Sequence, residues 1–121
     1  MNSINPHWLN SIVATSESIF LSEFNRDIIT QFDMTGNVVR KFGKHGSDDE
    51  AFHRPMACGI DSRGSLLIVD NSNECFKVFS HGALTTMKVN GLHYPMCAGF
   101  VKDRLFVTED GARSLKIFLY V

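Results

Sequence analysis

Three stretches of this chain superpose without a gap: IFLSEFNRDIITQF at residues 19–32, LLIVDNSNECFKVF at 66–79 and LFVTEDGARSLKIF at 105–118. Each opens with four mostly apolar residues and reaches an acid at its fifth position: Glu23, Asp70 and Glu109. A polar stretch follows, and then an apolar, β-rich run ending in Phe32, Phe79 or Phe118. The acids stand 47 and 39 residues apart, so the chain repeats a unit of about 40 residues. That period limits the fold to architectures in which like units stack.

Each segment reads as strand, tight polar loop, strand. Ile, Leu, Val and Phe suit a pleated, mostly buried surface, and Asn, Asp, Gly and Arg suit the turn between. A further short strand is expected before each hairpin, near 9–14, 57–61 and 97–101, with Pro6, Pro55 or Pro95 just upstream. Proline is tolerated there because the first residue of a strand need not donate to the ladder. After the first two hairpins come glycine turns, MTGN at 34–37 and SHGA at 80–83, and then fourth strands in NVVRKFG and LTTMKVNG. The third unit stops after its third strand, and no amphipathic helix of three turns is visible.

A lone four-stranded sheet cannot bury both faces, so neighbouring copies must stack face to face. The fold class expected is all-β: a β-propeller segment of about three four-stranded antiparallel blades, the last incomplete. Residues 1–121 form one domain, with repeats at about 5–50, 51–91 and 92–121.

Composition narrows the function classes. Twelve Lys and Arg against thirteen Asp and Glu give a net charge of −1, so no strong field draws nucleic acid or anionic membrane. No apolar run approaches the roughly 20 residues of a membrane span. The start, MNSINPHWLN, lacks the basic and apolar regions of a secretory signal. Cys58, Cys75 and Cys97 form neither a disulfide framework nor a zinc ribbon. They are expected to be reduced and buried in a cytoplasmic protein.

The run PMACGIDSRGSLLIVDNSNECFKVF at 55–79, preceded by KFGKHGSDDEAFHRP at 41–55, resembles the NHL repeat and its Phe-Gly-x-x-Gly linker between blades. The closing LKIFLYV resembles the final strand of Brat-like TRIM-NHL proteins, whose six-bladed propeller ends the polypeptide. The resemblance departs in its loop triplet and in its length, which is about half that of a six-bladed NHL propeller. NHL repeats usually carry Asn-His-Arg before the third strand, whereas the aligned triplets here are Arg26-Asp27-Ile28, Asn73-Glu74-Cys75 and Ala112-Arg113-Ser114. It implies half of a six-bladed propeller, the C-terminal half, in a chain that is a fragment or short form. The missing half would come from a longer parent or, alternatively, from a homodimer.

In propellers the linkers between blades and the second-to-third strand loops share the usual binding face. Phe24, Arg26, Lys44, His45, Arg54, His93, Tyr94 and Arg113 are the partner-contacting candidates on it. The resemblance implies a non-catalytic module for protein recognition in a TRIM-NHL-type regulator or ubiquitin-ligase adaptor. The alternative is single-stranded RNA binding for mRNA repression, in which bases stack on aromatic and guanidinium planes. Nine acids on the same loops (Glu23, Asp27, Asp48, Asp49, Glu50, Asp70, Glu74, Glu109 and Asp110) oppose phosphate.

No cofactor and no metal are expected. The acids Glu23, Asp70 and Glu109 recur by repeat, which points to a structural role, that of accepting backbone N–H groups in the turn that follows. A more distant alternative comes from members of the family that are zinc-dependent amidating lyases. HRPMACGID at 53–61 and HYPMCAGFV at 93–101 place His53 and His93 in equivalent linkers, with His45 or His7 as a third ligand. The repeat itself accounts for that spacing, and no HExxH or CxxC accompanies it.

Overall fold

The computed structural model describes residues 9–120, residue 112 excepted. Pro6, His7 and Ala112 therefore lie outside the described residues. Among the described residues, eleven strands form three antiparallel sheets. Blade 1 is the meander β1 (Leu9–Ala14), β2 (Ile19–Glu23), β3 (Ile28–Phe32) and β4 (Val38–Phe42). Blade 2 repeats it with β5 (Pro55–Ile60), β6 (Leu66–Asp70), β7 (Cys75–Ser80) and β8 (Ala83–Met87). Blade 3 has three strands, β9 (Pro95–Val101), β10 (Arg104–Glu109) and β11 (Ser114–Leu119). No helix occurs among the described residues, so none could cross a membrane. The expected class, order of strands and incomplete third blade are all present.

The blades stack through two apolar clusters that alternate along one strand. Every residue of β6 is buried, and its side chains point by turns to its two neighbours. Leu66 and Ile68 join Val13, Phe20, Ile29, Phe52 and Ala57 between blades 1 and 2. Leu67 and Val69 join Phe76, Leu92, Ala98, Leu105 and Val107 between blades 2 and 3. A strand covered on both faces reads as an unbroken apolar run, as LLIV does here. Polar stitches supplement the clusters: Ser22 Oγ accepts the Ala57 N–H at 3.2 Å, and Ser11 Oγ donates to the Ala57 carbonyl.

The outer side of blade 3 shows what stacking otherwise hides. The positions of Leu67, Val69, Phe76 and Val78 recur there as Phe106, Thr108, Leu115 and Ile117. Leu115, Ile117 and Leu119 are each more than half exposed, as is Val101. Among the described residues β11 is also an edge strand with no fourth neighbour.

The linker between blades 1 and 2 shows why the Phe-Gly pattern is needed. Phe42 stacks on Phe79 at a ring separation of 4.1 Å, tying the end of one blade to the next. Gly43 follows with φ of 101°. A Cβ there would lie 2.4 Å from the buried Phe52 ring and 2.9 Å from the Asp27 carbonyl oxygen, so only glycine fits.

Candidate functional site

The β2–β3 loop, its counterparts in blades 2 and 3, and the two linkers meet on one face. Each linker ends in a corner, His53-Arg54-Pro55 or His93-Tyr94-Pro95, and each corner is held by two carboxylates. At corner one, the His53 N–H donates to Asp70 Oδ1 at 2.7 Å and the Arg54 N–H to Asp27 Oδ1 at 2.7 Å. At corner two, the His93 N–H donates to Glu109 Oε2 at 2.5 Å and the Tyr94 N–H to Glu74 Oε2 at 3.2 Å. One acid comes from the strand end of the blade being entered, the other from the loop of the blade being left.

The backbone at these corners adopts a conformation that glycine would take more readily. Arg54 (φ 63°) and Tyr94 (φ 45°) are left-handed, as are the loop acids Asp27 (56°) and Glu74 (53°). Such residues persist only where surrounding bonds over-determine them. The carbonyls of Arg54 and Tyr94 accept the N–H groups of Asn71 and Asp110, at 3.2 and 3.0 Å, so each corner is bonded on both sides.

A lysine completes the strand-end acid at each of the two corners. Lys77 is fully buried, donates to the Asp48 carbonyl at 2.6 Å and sits 3.7 Å from Asp70 Oδ2. Lys116 occupies the same repeat position, donates to the Gly91 carbonyl and lies 3.1 Å from Glu109 Oε1. Asn73 Nδ2 bonds Asp70 Oδ2 at 2.8 Å and the Gly46 carbonyl at 2.7 Å. In blade 1 the lysine position holds Thr30, and the buried Glu23 has one carboxylate oxygen without a hydrogen-bond partner among the described residues.

The two completed sets titrate in opposite directions. Burial pushes the Asp70 carboxyl up, against the hydrogen bonds from Asn73 and His53 and the charge of Lys77. The His93 N–H, aided by Ser114 and Lys116, holds Glu109 down at about 2.

The sequence-predicted residues divide between the two corners. The Arg54 guanidinium lies over the Phe24 ring, 5.7 Å from its centroid. His45 Nδ1 is 2.8 Å from Asp27 Oδ2, and its ring meets His53 edge-on at 4.7 Å. Lys44 pairs with Asp48 at 3.6 Å on the surface, and Arg26 is exposed on the loop beside Phe24. At corner two, His93 Nδ1 lies 3.6 Å from Glu74 Oε2, and the exposed Tyr94 rests against Gly111. Arg113 is exposed on that same loop, at the repeat position that is an acid in the other two blades.

Three expectations need correction. The strand-end acids Asp70 and Glu109 do accept backbone N–H groups, but from the linker before their blade and not from the turn after. The nine acids do not all face solvent, because Glu23, Asp27, Asp70 and Glu109 are buried. The exposed rim therefore sets Asp48, Asp49, Glu50 and Asp110, with half-buried Glu74, against Arg26, Lys44, Arg54 and Arg113. Finally, the cysteines are free but not uniformly buried: Cys75 is buried, Cys58 is half-buried and Cys97 is exposed.

Among the described residues no group of three or more His, Cys, Asp or Glu side chains is placed to hold a metal. Sequence reasoning missed the second acid of each corner. The signal was present: Asp27 and Glu74 are acids at one repeat position, in the triplet where the NHL pattern has histidine.

No family model and no curated protein matches the chain. Solved structures do. Virginiamycin B lyase from Staphylococcus aureus, in a catalytically inactive form with quinupristin, superposes with a TM-score of 0.72 at 16% identity over 97% of this chain. A streptogramin B lyase gives 0.66 at 13% identity over 97%. The computationally designed Ika4 protein gives 0.53 at 8% identity, covering 97% of this chain and 94% of that one. The chain spans about 42% of the length of the lyase structures. At these identities the likeness establishes the fold, and the chain is a β-propeller segment.

Proposed function

We propose that this segment is a non-catalytic recognition module whose rim, from Phe24 to Arg113, binds a protein partner. It would act within an NHL-type regulator of the TRIM-NHL kind, in the cytoplasm, as the target-recognising part of a ubiquitin-ligase adaptor. The observation that carries the reading is the employment of the acids. Those placed to do chemistry are engaged in holding corners, and what faces solvent is arginine, aromatic residues and mixed charge on a pinned backbone. Arginine and tyrosine are the side chains that anchor protein interfaces, and a rigid backbone lowers the entropic cost of docking. The remaining blades of a closed ring would cover the apolar side of blade 3.

The test compares the wild-type chain, alone and joined to completing blades, with a Tyr94→Ala/Arg54→Ala variant in affinity capture. A partner retained by both wild-type forms and lost from the variant supports the reading. Capture unaffected by the two changes overturns it.

Single-stranded RNA is the second reading, favoured by the burial of four of the nine acids and by the stacked Arg54–Phe24 pair. Selected RNA whose affinity falls steeply with salt, and falls further on changing Tyr94 and Arg113, would establish it.

A further inference from the structure

At the strand ends away from the rim, the wedge between blades 2 and 3 opens into a cleft of about 550 Å³. One wall is the β5–β6 turn of blade 2, with Asp61 and Arg63. The other is the β9–β10 turn of blade 3, with Lys102 and Asp103. Phe100 and Tyr120 line the space between, their ring centroids 5.3 Å apart at an angle of 54°. Phe100 lies across Gly59 of blade 2, where a Cβ would come 3.0 Å from its ring, so the bare backbone at 59 makes room for it. Tyr120 is fixed at both ends. Its N–H donates to the Asp103 carbonyl at 2.6 Å, and its hydroxyl donates to Asp61 Oδ2 at 2.9 Å. Burial and the bond to Asp61 push the phenol up to about 12, so the ring stays neutral.

The charges around the cleft are unequally employed. Asp61 Oδ1 accepts the N–H groups of Arg63 and Ser65, both at 2.9 Å, so with Tyr120 both carboxylate oxygens are occupied. Asp103 lies 3.9 Å from Arg104 Nε. Arg63 and Lys102 are exposed, and among the described residues their side chains make no hydrogen bond or ion pair. Arg63 acts on Asp61 through its charge alone. Lys102 holds its ammonium on a left-handed backbone (φ 55°) that glycine takes more readily.

We propose that this cleft binds a small aromatic carboxylate, its ring against Phe100 and Tyr120 and its anion between Arg63 and Lys102. Pockets for small ligands measure roughly 300–1,000 Å³, are mostly apolar, and orient the ligand with a few polar groups. Arginine matches a carboxylate with two parallel N–H bonds, and lysine adds a point charge. The tilted Phe–Tyr pair offers a ring the offset and edge-on contacts that aromatic groups prefer. A cationic ligand would meet two uncommitted positive charges, and an inorganic anion would leave the rings in water. The site is separate from the rim, at the other end of the same two blades.

The test titrates the purified chain with 2-naphthoate and follows amide chemical shifts. The controls are 2-naphthalenemethanol, the ring without the charge, and inorganic phosphate, the charge without the ring. Naphthoate should saturate, move the amides of Arg63, Lys102 and Tyr120, and bind at least about tenfold more tightly than either control. Lys102→Gly and Arg63→Gln should each weaken it about tenfold. Glycine relaxes the backbone at 102, so Lys102→Gly should melt no lower than wild type, and its lost affinity is then not lost fold. Three results would each overturn the proposal: no saturation at millimolar naphthoate, equal binding of either control, or affinity indifferent to both substitutions. Shifts confined to the rim or to the outer side of blade 3 would do the same.

Discussion

Corner one and corner two solve one problem with different materials. Both pin a left-handed residue before proline between two carboxylates, and both hook a linker carbonyl with a lysine from the third strand. Corner one uses aspartates and a lysine with no exposure, under a linker plugged by the buried Phe52. Corner two uses glutamates and a lysine that is one-third exposed, under a linker plugged by Leu92. The geometry of the pinned N–H groups survives this change, and the energetics do not. A shared hydrogen-bond pattern is thus compatible with opposite electrostatic settings: both strand-end acids are buried, but one lysine is sealed in and the other reaches solvent.

The largest test of that contrast is Asp70→Ala, which strands Lys77 in a dry site and should cost about 3–5 kcal/mol in urea unfolding. The linkers come next. Gly43→Ala drives a methyl into Phe52 and should cost about 2–3 kcal/mol. Gly91→Ala meets only the Lys116 ammonium at 3.9 Å and should show the backbone strain alone, about 1 kcal/mol. Equal losses at the two glycines would break the comparison.

Acid titration separates the carboxylates themselves. Glu109 is depressed in the folded state, so its contribution is present above the ordinary value of 4.5 and is lost as pH falls through about 2. Asp70 is raised, so the folded state takes up its proton more readily and that site opposes folding as pH rises through its ordinary range. Glu109→Gln should therefore flatten the acid limb of a stability profile, leaving whatever fall belongs to other carboxylates. A profile unchanged between pH 4.5 and the acid limit would show that corner two is not electrostatically held.

The smallest effect is expected at Tyr94→Asn. Asparagine accepts the left-handed backbone, and stability should move by less than about 0.5 kcal/mol, while any rim-dependent binding falls.

The strands were legible because their signal is local: the run LLIV announces a strand buried on both faces, and Phe32, Phe79 and Phe118 mark the repeat. The recurrence of the strand-end acids also marked a structural duty at Asp70 and Glu109, which accept linker N–H groups. Their hydrogen-bond partners were not legible, since His53 lies 17 residues from Asp70 and is brought there by the turn of a whole blade. The count of nine acids misled for the same reason, as burial is a property of packing that composition does not carry. Cys97 was expected to be buried with the other cysteines, whereas it is exposed on a strand that is a sheet edge. Nothing in the sequence marks the bulge at Cys58, which the β5–β6 ladder skips between Ala57–Ile68 and Gly59–Leu67.

The exposed side of blade 3 has a consequence in time. In a row of units that touch only their neighbours, opening proceeds from an uncovered end. The amides of β11, bonded on one side and unshielded on one face, should exchange with solvent soonest. Those of β6, enclosed by a blade on each side, should wait for the whole array to come apart. Hydrogen exchange would then read the chain as a clock whose slowest hand is Leu66–Asp70.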